Sequence, residues 1–118
     1  MKIVLAVAAT GEALTGLALL VVPETVIRLL LGAEISGAAI PLARVAGMSL
    51  IALGAACWPN GEMKQALGGM LIYSLTVMLY FLFLGFDGHW AGPLLWPAVA
   101  VHAILTLLLT RALFRERE

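Results

Sequence analysis

Three ionisable residues, Glu12, Arg44 and His102, fall inside long apolar stretches of this 118-residue chain. A charge in hydrocarbon is costly, so such residues mark a functional site by default. A carboxylate, a guanidinium and an imidazole in one dry cavity could hold the polar end of a small molecule or lipid. An imidazole is also the side chain suited to passing a proton near neutral pH. Hydroxyls can join them. Tyr73, Thr76 and Tyr80 share one helical face, as do His102, Thr106 and Thr110. Ala8, Glu12, Thr15 and Gly16 form a small and polar stripe at helical spacing. The candidate ligand-binding set is therefore Glu12, Arg44, His102, Tyr73, Tyr80, Thr15 and Thr106.

Each of these residues has a structural reading too. Glu12 and Arg44 could be an ion pair that fixes helix register. The threonines could bond to their own helix backbone, and the tyrosine face could be packing. Nothing marks a catalytic nucleophile, and an enzyme using Glu12 and His102 as acid and base ranks last. His89 with Asp87 supplies two metal ligands, too few for a site, so no metal and no cofactor is expected. Cys57, the single cysteine, permits no internal disulfide and reads as a small core residue.

The elements that position these residues follow from composition. Hydrophobic residues are 63% of the chain and charged residues 12%, against about half and about a quarter in a soluble domain. Mean hydropathy is +1.06. So short a chain has too little interior to hide that much apolar surface. These values exclude a soluble enzyme, a disordered chain and a disulfide scaffold. Seven basic residues balance seven acidic ones, which argues against a nucleic-acid partner.

A spanning helix needs about 20 apolar residues. Four stretches qualify, at about 3–22, 38–58, 65–86 and 93–114, with proline and glycine punctuation between them. Helices are expected, because an open sheet cannot satisfy its backbone in lipid. Lys2 and the apolar run after it look like a signal peptide, but Glu12 interrupts that run, and the span is expected to be retained. The segment at about 23–32 opens with Pro23-Glu24-Thr25, continues with Val26, Ile27, Leu29, Leu30 and Leu31 around one charge, Arg28, and closes at Gly32. It is too short to span and reads as an interfacial helix. The expected fold is an all-α four-transmembrane-helix bundle, a single membrane domain over 1–118, with a solvated tail at about 112–118.

Four spans place both termini on one side. That side carries Lys2, Lys64, Arg111, Arg115 and Arg117, whereas the opposite loops offer Arg28 alone. The positive-inside rule makes that side the cytoplasm and the membrane the inner one. Trp58, Trp90 and Trp96 lie near span ends, where aromatic belts form. Counting 1.5 Å per residue places Glu12 roughly 15 Å, Arg44 roughly 9 Å and His102 roughly 13 Å from the outer ends of their helices, close enough in depth to meet. Gly47 and Gly54, with Ala43, make a face suited to close helix contact, within the chain or between copies.

The length, the four spans, Arg44-Val45-Ala46-Gly47 opening the second span, and the segment from Pro23 to Gly32 resemble the small bacterial DoxX-like membrane proteins. That resemblance covers most of the chain in pattern and implies a four-helix membrane bundle, with no functional residue carried over. Ala8-Ala9-Thr10-Gly11-Glu12 is similar to the Ala-x-x-x-Glu of the small multidrug resistance family, which implies a proton and cation site at Glu12. The chain departs from that family in its long first connection and in Arg44, which would repel a cation. The expected function is binding, and by extension transport, of a small molecule or lipid head group. The alternative is an accessory subunit of a larger membrane complex, or a homo-oligomer, with the polar cluster as a structural pair.

Overall fold

The computed structural model describes residues 2–117. Met1, Glu118 and the side chains of 116 and 117 lie outside the described residues, so the expected contribution of Arg117 to the charged end does too. Five helices follow one another: α1 (Lys2–Val21), α2 (Pro23–Leu31), α3 (Ala39–Ala56), α4 (Met63–Asp87) and α5 (Leu95–Arg117). No strand occurs among the described residues. α1, α3, α4 and α5 are each long and apolar enough to cross a membrane. The tail at about 112–118 is helical as far as Arg117, a continuation of α5.

The breaks follow local chemistry. Val22 leaves the helical region, and Pro23 then starts α2 at the position where its missing N–H is harmless. Gly32 ends α2 in the left-handed conformation (φ +70°), donating its N–H to the Arg28 carbonyl. Gly88 ends α4 in the same way, its N–H on the Leu84 carbonyl. Arg28 and Glu34 pair at 2.9 Å on the exposed side of α2. A surface pair of this kind is worth about 1 kcal/mol at most.

Packing divides the helices into two pairs, α1 with α3 and α4 with α5. The first pair is held backbone to backbone. A Cβ on Gly47 would strike the Gly16 carbonyl oxygen at 2.5 Å, and one on Gly54 would strike that of Ala9 at 2.6 Å. Gly47 and Gly54 are thus used inside the chain, against α1, and small residues let the two backbones approach as membrane helices do. α1 also touches α4 and α5, which joins the pairs.

The packed cluster of buried residues lies at one end, while Leu19, Leu84, Leu95 and Val99 are buried toward the other. Leu5, Ala8, Ala9, Cys57, Leu67, Met70, Leu109 and Ala112 pack together where α1 begins and α5 finishes. Most of the outer surface is apolar: Ile3, Leu42, Ile72 and Phe86 are each 68–80% exposed. Toward the other end, nearer α2, a cavity opens between the pairs.

Candidate ligand-binding site

α2 roofs this hollow. It is held there by the loop before α5, where the N–H groups of Gly92 and Leu94 donate to the Leu30 and Leu29 carbonyls at 3.0 and 2.8 Å. These are carbonyls that the end of a short helix leaves free. Gly92 makes the approach possible, since a Cβ there would collide with the Leu29 carbonyl oxygen.

The cavity beneath has a volume of about 740 Å³, within the range of roughly 300–1,000 Å³ usual for small-molecule sites. Val26, Leu29 and Leu30 of α2 line its upper end, with Phe81, Leu94 and Pro97. Ala46, Ser49 and Leu50 of α3 face Tyr73 and Val77 of α4 across it. Ala46, Ser49 and Thr15 are exposed although they line the cavity, so it is open to its surroundings.

The polar groups gather at the lower end, on the boundary with the packed core. Glu12 is 5% exposed, the only carboxylate among the buried residues described. Its Oε1 lies 3.3 Å from His102 Nε2. The other ring nitrogen of His102, Nδ1, sits 2.8 Å from the Ala98 carbonyl. A carbonyl only accepts, so that hydrogen bond assigns a proton to Nδ1 and fixes the ring. Nε2 then points toward the carboxyl but is buried without an aligned hydrogen-bond partner. The 3.3 Å approach is therefore an electrostatic contact rather than a well-formed hydrogen bond. Tyr73 closes the group from α4, its ring edge-on to His102 with centroids 6.2 Å apart. Phe81 sits edge-on to the same imidazole from above, at 6.3 Å.

Of the seven candidate residues, four line the cavity: Glu12, His102, Tyr73 and Thr15. Of the three ionisable residues expected to meet, two do. Arg44 is exposed on α3 and forms no ion pair among the described residues. The reason lies in the α1–α3 seam: the glycine contacts set the rotation of α3, and that rotation turns Ala46, Ser49 and Leu50 inward instead of Arg44. Tyr80 is 59% exposed and stacks on Phe83 outside the cavity. Thr106 donates its hydroxyl to the His102 carbonyl at 2.7 Å, and Thr110 to the Thr106 carbonyl, so both serve α5 itself. Thr15 likewise bonds to the Gly11 carbonyl at 2.8 Å.

Ser49 is the polar lining residue that the sequence did not single out, and the apolar lining, α2 included, was not legible either. Ser49 donates to the Val45 carbonyl at 3.0 Å and offers a hydroxyl oxygen to the cavity. Its only sequence signal is a polar residue two positions after Gly47. His89 Nδ1 and Asp87 Oδ2 meet at 2.7 Å on the surface, and no group of three or more metal-ligating side chains occurs among the described residues. No family model, curated protein or solved structure matches this chain, so the site is read from its own geometry.

Proposed function

We propose that the chain is a multi-pass membrane protein that binds one small amphiphile in the cavity under α2. Four apolar helices and an apolar exterior support the membrane setting. In this reading α1, α3, α4 and α5 cross the inner membrane, both termini face the cytoplasm, and α2 lies at the outer surface. The packed core then occupies the cytoplasmic half and the cavity the outer half.

The observation that carries the proposal is the asymmetry of the cavity, which has apolar walls above and Glu12, His102 and Tyr73 below. A ligand with an apolar body and one polar end fits that gradient. The accessory-subunit alternative calls for a polar cluster without a cavity and a glycine face turned outward. Here Gly47 and Gly54 are engaged with α1, which favours binding.

Native mass spectrometry of protein released from mild detergent tests this. The comparison is wild type against the double variant Glu12→Leu/His102→Phe, which keeps the side-chain bulk but removes the polar end. Added mass on wild type that is absent from the folded variant is the expected result. Bare protein in both, or equal added mass in both, overturns the proposal.

A further inference from the structure

The charge balance of the cavity, taken with its shape, narrows the ligand beyond "amphiphile". Three titratable side chains line it: Glu12 from α1, Tyr73 from α4 and His102 from α5. The lining residues from α2 (Val26, Leu29, Leu30) and α3 (Ala46, Ser49, Leu50) carry no charge. The two arginines on those helices point elsewhere. Arg28 is paired with Glu34 on the surface, and Arg44 is exposed.

Glu12 and His102 can hold zero, one or two protons between them beyond the one fixed on Nδ1. None leaves a net negative charge in a buried site, and two leave a net positive charge. One leaves the site neutral, whether as an ion pair or as a protonated carboxyl beside a neutral ring. With no third charge to compensate, the single-proton state costs least. A cationic head group would have to expel that proton to find a counter-charge, and an anionic one would have to bring a second.

We propose, resting on the binding reading above, that the cavity takes an amphiphile with an uncharged hydroxyl head, a long-chain or cyclic alcohol, its hydroxyl at Glu12, His102 and Tyr73. A hydroxyl both donates and accepts. It can donate to whichever of Glu12 or Nε2 lacks the proton and accept from the other or from Tyr73. That supplies Nε2 with the partner it lacks. The tail then runs about 10 Å along α5, from His102 to its first residue Leu95, and on to Leu94 under α2.

The test uses three photoreactive probes with the same ten-carbon diazirine tail and a hydroxyl, an amine or a carboxylate head. Purified protein is labelled in detergent at pH 6 and pH 8, and the labelled residues are mapped by peptide mass spectrometry. The hydroxyl probe is expected to label α2 and α5 lining residues at least tenfold better than the charged probes. Its labelling should change less than twofold with pH. Any labelling by the amine should strengthen about tenfold per unit rise in pH, and by the carboxylate about tenfold per unit fall, because each needs one proton moved. Arg44→Ala should leave the hydroxyl labelling unaltered, and Glu12→Leu/His102→Phe should abolish it. Cavity labelling led by the amine or carboxylate probe, or hydroxyl labelling that shifts tenfold with pH, overturns the head-group assignment while the binding reading stands. Failure of all three probes to label the cavity overturns both.

Discussion

Removing one member of the Glu12–His102 contact should cost much more than removing both. At 3.3 Å, a pair of unit charges attract by about 5 kcal/mol at an effective dielectric constant of about 20. Desolvation offsets most of that gain, so the pair adds little net stability compared with an apolar pair of similar size. Breaking it is different. Glu12→Leu leaves His102 facing a leucine, and His102→Phe leaves a carboxylate that is only 5% exposed without its neighbour. Each single variant should lose about 3 kcal/mol, the low end for a broken buried pair. The unfolded reference state in detergent or lipid also finds some polar partners, which keeps the figure at that end. Glu12→Leu/His102→Phe should return to within about 1 kcal/mol of wild type, a coupling near 5 kcal/mol where additivity would allow only about 0.5. Reversible unfolding in mixed micelles with increasing denaturing detergent, followed by far-UV circular dichroism, measures all four proteins. A double variant as unstable as the sum of the singles would refute the reasoning, because it would mean the two side chains do not share one charge balance.

Other outcomes follow from the packing and topology. Gly47→Ala should destabilise the protein by about 1–3 kcal/mol, since its Cβ meets Gly16 backbone that cannot move aside cheaply. Gly11→Ala, with nothing within 4 Å of the new Cβ, should be neutral or stabilising by up to about 1 kcal/mol in the same unfolding assay. Cys57 is 5% exposed in the core, so a maleimide should react with it at least tenfold more slowly in folded than in unfolded protein, by intact mass. In a Cys57→Ala background, a cysteine at Trp90 should label with a membrane-impermeant maleimide on intact cells, and one at Lys64 only after permeabilisation. The reverse pattern would invert the proposed orientation.

The sequence made the helices legible because apolar length and proline–glycine breaks are local properties. The stretches predicted at 3–22, 38–58, 65–86 and 93–114 correspond to α1, α3, α4 and α5, with ends shifted by up to three residues. The pairing of Glu12 with His102 was also within reach, since depth along a helix can be counted. Helix rotation was harder to read. When both lipid and core are apolar, a stripe of leucines does not say which way it faces, and the charge and depth of Arg44 point it inward without fixing the rotation of its helix. Its true direction is set by Gly47 and Gly54 meeting Gly16 and Ala9, a long-range fit whose two small-residue faces are each visible in the sequence but whose pairing is not. The roof was half legible. Residues 23–32 read as a short interfacial helix, but its docking depends on backbone bonds from Gly92 and Leu94, which no local pattern encodes.

The central claim is that the half of the molecule under α2 is hollow and holds a ligand against a polar end. A crystal structure from a lipidic mesophase, refined without any added ligand, tests it most directly. The account predicts elongated density from the Glu12–His102 contact up to Val26 and Leu30, with Tyr73 on one side and Ser49 on the other. Closure of α3 onto α4 and α5, with Leu50 and Val77 in contact and no cavity between them, would contradict it.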